Sequence, residues 1–183
     1  MSTVTTPSVY FEKGGPENTD EVLALAKVRA AQLGIRQLVV ASSTGDTGAR
    51  AAKLCPELTV VAVNGLYPEK IQAEHRATIE AAGGTILCAG HAFGMLGRAV
   101  RKKLGAVQAD EIIAQTLKLL GDGCKVAAEV TCMATDAALV APGTEIMALG
   151  GSGRGADTAV VIRAAHTQDF FDMRILEIVC KPR

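Results

Sequence analysis

The sequence predicts an α/β chain, a three-layer α/β/α sandwich around a mixed, mostly parallel sheet, and two observations carry that prediction. Short apolar, β-branched runs such as Leu38-Val39-Val40 and Ile146-Met147-Ala148-Leu149 alternate with longer stretches whose apolar residues recur at helical spacing. The hydrophobic fraction is 49% while aromatics make up only 3%, so the core has to be built from Val, Ile, Leu and Ala. That composition suits a parallel sheet covered by helices on both faces. At 183 residues, one domain spanning 1–183 is expected, with the Ser/Thr-rich residues 1–8 flexible.

Taken in order, Val9-Tyr10-Phe11-Glu12 reads as a short edge strand followed by the turn Gly14-Gly15-Pro16. Asn18 or Thr19 can cap a helix whose first turn carries Asp20 and Glu21, the charge sign that suits a helix N-terminus. Its apolar face runs from Val22 to Leu33, and Gly34 stops it. A strand over Gln37–Ala41 is followed by a helix over Thr47–Leu54, closed by Pro56. A second strand, Thr59–Val63, precedes Asn64-Gly65 and a helix from about Glu69 to Ala82, with Lys70, Glu74, Arg76 and Glu80 outward. After Gly83-Gly84 comes a third strand, Thr85–Cys88. Helical stretches follow over Gly94–Leu104, Ala109–Leu120 and Lys125–Val140, the last so rich in small apolar residues that it should be buried. Pro142-Gly143 turns into the strand Glu145–Leu149. Thr158–Arg163 and Arg174–Cys180 complete the set.

Composition removes several function classes. Lys+Arg and Asp+Glu are both 19, so no basic field favours nucleic acid, and the few aromatics leave little for base stacking. No apolar run approaches the ~20 residues that cross a bilayer, and the N-terminus lacks the basic and apolar regions of a signal peptide. A soluble, cytoplasmic protein is expected. The five cysteines (Cys55, Cys88, Cys124, Cys132, Cys180) form no Cys-x-x-Cys or His/Cys metal spacing. They read as small buried hydrophobes in a reducing compartment, and no metal site is expected.

Two glycine-and-hydroxyl loops carry the functional signal. After Gln37–Ala41 come Ser42, Ser43, Thr44, Gly45, Asp46, Thr47 and Gly48. After Glu145–Leu149 come Gly150, Gly151, Ser152, Gly153, Arg154, Gly155, Ala156, Asp157 and Thr158. A strand ending in Gly, Ser and Thr exposes backbone N–H groups and hydroxyls without bulky side chains in the way, as phosphate oxygens require. The first loop reads equally as an ordinary strand-to-helix turn with Asp46 or Thr47 as N-cap, and Asp46 would repel a nearby phosphate. The second holds more glycine than a plain turn needs, and Arg154 adds a fork-shaped donor suited to phosphate. The competing assignment for Arg154 is a salt bridge to Asp157 or Asp46. The candidate ligand contacts are therefore Ser42, Ser43, Thr44, Gly45, Thr47, Gly151, Ser152, Gly153, Arg154 and Gly155.

Other residues give weaker signals. Glu129 and Asp136 lie seven residues apart on the most apolar helix, and so on one face. Holding loop N–H groups is favoured for them over catalysis or metal binding. His91 follows the third strand and is a candidate general base or phosphate contact, whereas His75 reads as a surface helix residue and His166 as a loop residue. Glu129 and His91 are the catalytic candidates. Asp169-Phe170-Phe171-Asp172 suits C-terminal packing or a homo-oligomer interface better than a flavin platform. No Ser/His/Asp or Cys/His grouping can be assembled from the order of residues.

Both loops resemble the C-terminal domain of pyruvate kinase. Val39-Val40-Ala41-Ser42-Ser43-Thr44-Gly45 looks like its Ser/Thr-Gly loop, and Gly151-Ser152-Gly153-Arg154-Gly155-Ala156-Asp157-Thr158 like its second Gly-Ser-Gly loop. The chain is more similar still to free-standing prokaryotic proteins made of this domain alone. That likeness runs through Tyr10-Phe11-Glu12-Lys13, Asn18-Thr19, Glu129 with Asp136, Asp169-Phe170-Phe171-Asp172 and Lys181-Pro182-Arg183. In allosteric pyruvate kinases these loops bind the phosphates of a sugar bisphosphate. The resemblance implies five core strands in the order 3-2-1-4-5, the last antiparallel, with Gln37–Ala41 as the first and Glu145–Leu149 as the fourth. Those neighbours would form a switch point, where open α/β sheets bind ligands, and both loops would open into one crevice. Kinase activity is not implied, because 183 residues cannot hold a catalytic barrel of ~250 as well. Nor does the second loop carry the bulky aromatic common in the effector loop of the full enzyme.

The leading expectation is a protein holding a phosphorylated small molecule, a nucleotide such as flavin mononucleotide (FMN) or a sugar phosphate. The alternatives are an enzyme acting on such a metabolite through His91 or Glu129, and a regulatory or structural subunit.

Overall fold

A computed structural model describes residues 3–183. The expectation of a flexible 1–8 segment falls in part on Met1 and Ser2, outside the described residues. Residues 3–8 carry no regular structure, and the Ser8 hydroxyl donates to the Ile178 carbonyl at 2.6 Å.

The strands are β1 (Val9–Phe11), β2 (Gln37–Ala41), β3 (Thr59–Asn64), β4 (Thr85–Cys88), β5 (Glu145–Gly150), β6 (Thr158–Arg163) and β7 (Arg174–Pro182). The α-helices are α1 (Thr19–Leu33), α2 (Asp46–Leu54), α3 (Ala73–Ala81), α4 (Met95–Leu104), α5 (Ala109–Leu117) and α6 (Asp122–Asp136). The strands form one seven-stranded sheet in the order β1-β7-β6-β5-β2-β3-β4. Neighbours pair in parallel, except that β6 runs antiparallel to both β5 and β7.

The seven-strand order differs from the expected five by addition: β4-β3-β2-β5-β6 keep the order 3-2-1-4-5 with the last antiparallel, and two further strands extend the sheet beyond β6. The C-terminal segment adds β7 beside β6, and β7 in turn recruits the N-terminal β1 through Val9 opposite Cys180. Local patterning marks these segments as strands, but strand order depends on pairings between distant parts of the chain.

Side-chain alternation sends the sheet into two cores. Leu38, Val40, Val60, Ala62, Met147 and Leu149 face α1, α2 and α3, where Val22, Leu23, Ala26, Ala51 and Ile79 cover them. Val39, Val61, Ile146, Ala148, Val160 and Ile162 face the other way, against Cys124, Ala127, Ala128 and Met133 of α6 and Ala114 of α5. With both faces buried, the strands read as continuous apolar runs. Each fully buried Val or Leu contributes about 1.5–3 kcal/mol, which supports the three-layer reading.

Several helix ends differ from expectation. Gly45, at φ 89°, takes the N-cap position of α2 assigned to Asp46 or Thr47. The helix expected over Glu69–Ala82 is a 3-10 turn, Pro68–Lys70, and then α3. Between them Ile71 and Gln72 are extended, which buries Ile71 and lets the Gln72 N–H donate to the Thr44 carbonyl at 3.0 Å. The helix placed at Lys125–Val140 spans Asp122–Asp136 instead. A left-handed Ala138 (φ 56°) ends it and swings Val140 into the second core. The stretch Ala109–Leu120 is α5 plus a 3-10 turn at Lys118–Leu120.

The cysteines divide. Cys55, Cys124, Cys132 and Cys180 are buried, and burial pushes their thiols up, to about 11 at Cys55 and about 12 at Cys132 and Cys180. Cys88 corrects the expectation of uniform burial. It ends β4, an edge strand, and is exposed. Among the described residues no helix is long and apolar enough to cross a membrane.

Candidate functional site

Because β2 and β5 are parallel neighbours, their carboxyl ends lie side by side. The chain leaves β2 toward β3 on one side and β5 toward β6 on the other. A cleft of about 590 Å³ opens there, lined by both glycine loops and by one face of α6. Ser42, Ser43, Thr44, Asp46 and Thr47 line it from the first loop, and Gly151, Gly153, Arg154 and Gly155 from the second.

The first loop is held largely from outside. The buried Ser42 hydroxyl accepts the Gly48 N–H at 3.0 Å, which satisfies one of the donors that every helix N-terminus leaves unpaired. The buried Asn64 side chain at the end of β3 donates to the Ser43 carbonyl. His75 Nδ1 and the Gln72 N–H both lie within hydrogen-bonding distance of the Thr44 carbonyl. Gly45 is needed for its positive φ, and a Cβ there would collide with His75. Among the described residues, the N–H groups of Ser43, Thr44, Gly45, Asp46 and Thr47 have no intramolecular acceptor. A run of free N–H groups at the start of a helix is an anion-binding concavity.

The second loop is held from within. The Asp157 carboxylate is 1% exposed and accepts the Ser152 N–H at 3.0 Å, the Ser152 hydroxyl at 2.6 Å and the Thr158 hydroxyl at 2.8 Å. The Ser152 hydroxyl, expected to contact ligand, is thus spent inside the loop, and Ser152 does not line the cleft. Gly45 likewise shapes the first loop without lining the cleft. The Ala156 N–H donates to Thr19 Oγ1 at 3.0 Å, fixing the loop to the start of α1. Gly155, at φ 71°, lies against Pro16 and Thr19 where a side chain would collide. The N–H groups of Gly151, Gly153, Arg154 and Gly155 find no intramolecular acceptor among the described residues. Arg154 is exposed and forms no ion pair among the described residues, so the competing assignment, a bridge to Asp157 or Asp46, is not formed. Asp46 instead lies 3.9 Å from Arg50 and 3.8 Å from His75.

The α6 wall carries what sequence reasoning found only in part. Glu129 is 2% exposed; its Oε1 accepts the Phe93 N–H at 3.1 Å, and its Oε2 meets Lys125 Nζ at 2.5 Å and His91 Nδ1 at 3.3 Å. Burial alone would raise the Glu129 carboxyl. Hydrogen bonds from His91 and Lys125, with their charges, outweigh it and hold the group below the usual carboxylate range. Nδ1 of His91 thus faces the carboxylate, and its other ring nitrogen, Nε2, lies beside Gly65. Lys125 had a usable signal, a lysine four residues before a glutamate on an otherwise apolar helix.

Asp136 does not join Glu129. At the far end of α6 it accepts the Thr167 N–H at 2.9 Å and hydroxyl, and His166 Nδ1 lies 3.2 Å away. Each acid therefore holds a different loop, as their favoured role predicts. His75 is no plain surface residue but a wall of the cleft, and Asn64 gave no signal beyond its place after a strand.

No protein-family model matches the chain. Among solved structures it is similar to a pyruvate kinase from Cryptosporidium parvum, at 14% identity and a TM-score of 0.42, over 80% of this chain and 23% of that one. The same organism's pyruvate kinase in complex with ADP gives 16% and 0.42, over 80% and 24%. NAD+ synthetase from Burkholderia pseudomallei gives 19% and 0.33, over 60% and 52%. The chain thus spans about a quarter of the pyruvate kinase chains it matches. None of these likenesses reaches a TM-score of 0.5, and none bears on activity.

Proposed function

We propose that the protein binds a phosphorylated small molecule, a nucleotide such as FMN or a sugar phosphate, in the cleft between the two glycine loops. One observation carries this reading: the same cleft is lined by residues of two loops whose backbone N–H groups lack intramolecular acceptors. The N-terminus of α2 favours an anion there by about 0.3–1 kcal/mol, and Arg154 supplies a free guanidinium. The resemblance of both loops to those of the pyruvate kinase C-terminal domain supports the same ligand class. No Phe, Tyr or Trp lines the cleft among the described residues, so its walls favour no flavin over a sugar phosphate. Melting should be measured with inorganic phosphate, AMP, FMN and ribose 5-phosphate. At free ligand ~100-fold above Kd, binding adds about 2.7 kcal/mol of stability. A melting temperature unmoved by all four would overturn the proposal.

The enzyme reading is favoured by His91, whose Nδ1 faces a buried carboxylate while its ring lines the cleft. Such an imidazole is a general base in waiting. Turnover of a bound phosphorylated metabolite that is lost in His91→Gln, with binding retained, would establish it. Binding and turnover both unchanged in that variant would reject it.

A further inference from the structure

Beside the cleft lies a second chamber of about 560 Å³, and the two share Ser43, Asn64, Gly65 and His91 as a common ridge. Its far wall is α4. Met95, Arg98, Ala99 and Lys102 fall at i, i+3, i+4 and i+7, so helical spacing turns them all toward the chamber. Lys70 reaches it from the 3-10 turn after β3, with Nζ 4.2 Å from the centre of the Tyr67 ring.

No carboxylate lines this chamber. Among the described residues, Lys70, Arg98 and Lys102 form no ion pair, while Arg101, on another face of α4, is paired with Glu111 at 2.8 Å. A chain with equal numbers of basic and acidic residues therefore gathers three free cations around one cavity. All three are exposed, and an anion seated among them gains from all three charges at once.

Resting on the phosphate reading of the first cleft, we propose that the ligand carries a second anionic group, a phosphate or carboxylate, seated among Lys70, Arg98 and Lys102. The ligand then spans the His91 ridge, with one anion on the glycine loops, the other on α4, and its central part beside His91 Nε2. The ligand class is a doubly anionic metabolite whose charges lie at opposite ends.

A series of linear alkanediol bisphosphates of increasing length, each paired with its own monophosphate, tests this by titration calorimetry. At the length that spans the ridge, the bisphosphate should bind at least about tenfold tighter than its monophosphate. Lys70→Ala/Lys102→Ala should abolish that gain without changing monophosphate affinity or melting temperature. Lys103→Ala, an exposed lysine of α4 outside the chamber, should preserve it. Monophosphate binding with a bisphosphate advantage of only about twofold at every length, the statistical value for two equivalent ends, overturns the second anion and leaves the phosphate reading standing. So does an advantage that survives the double substitution. Failure of every monophosphate and bisphosphate to bind overturns both.

Discussion

The two glycine loops look alike as strings of Gly, Ser and Thr, yet they are built on opposite principles. The loop after β2 borrows most of its support, from Asn64 on β3 and from Gln72 and His75 at the start of α3, and adds one bond of its own from Gly48 to Ser42. The loop after β5 carries its own support in Asp157, which gathers Ser152 and Thr158, with a single tie to Thr19. Both constructions leave N–H groups free over one cleft. A loop held by several neighbours should tolerate the loss of any one. A loop hung on one buried carboxylate should not.

The largest effect should come from outside both loops. Glu129→Ala leaves Lys125, 8% exposed, without its partner and should cost about 3–5 kcal/mol, read by chemical denaturation. This cost sets the scale for the loops. The Glu129 carboxyl lies below its unfolded value of about 4.3, so its stabilisation is fully present above that pH. It is lost as pH falls through the lower folded value. An acid titration of Glu129→Gln should therefore lose this component of the wild-type profile. Wild-type and variant curves of the same shape would remove the carboxylate from the account.

Asp157→Ala comes next, at about 2–3 kcal/mol, because its buried partners lose their acceptor. Ser42→Ala, which removes one of several supports, should cost about 1 kcal/mol, the usual value of a helix N-terminal cap. If the two cost the same, the contrast between one central support and several fails. The smallest stability effect belongs to Arg154→Ala, which should leave the melting temperature unchanged and weaken phosphate binding about tenfold. A variant that melts early with affinity intact would make Arg154 a structural residue and leave the second loop without its charged contact.

Much of the fold was legible because local rules govern it. Short apolar runs marked the strands, Gly34 marked the end of α1, and the small residues of α6 announced its burial. The boundaries that slipped were those set by distant contacts, as where Ile71 and Gln72 unwind the start of α3 to reach the first loop. The site divided in the same way. Composition and spacing pointed to both loops and to Arg154, but could not show that Asp157 consumes the Ser152 hydroxyl or that Lys125 pairs with Glu129.

The sequence by itself determined which segments become strands and helices and which turns expose backbone N–H groups, because propensity, periodicity and glycine content act over a few residues. Only the tertiary structure decided that β7 and β1 extend the sheet, that His75 and Asn64 belong to the cleft, and that three free cations meet in a chamber beside it. Those outcomes depend on which remote segments pair and pack, and a linear pattern does not record the distance between residues far apart in the chain.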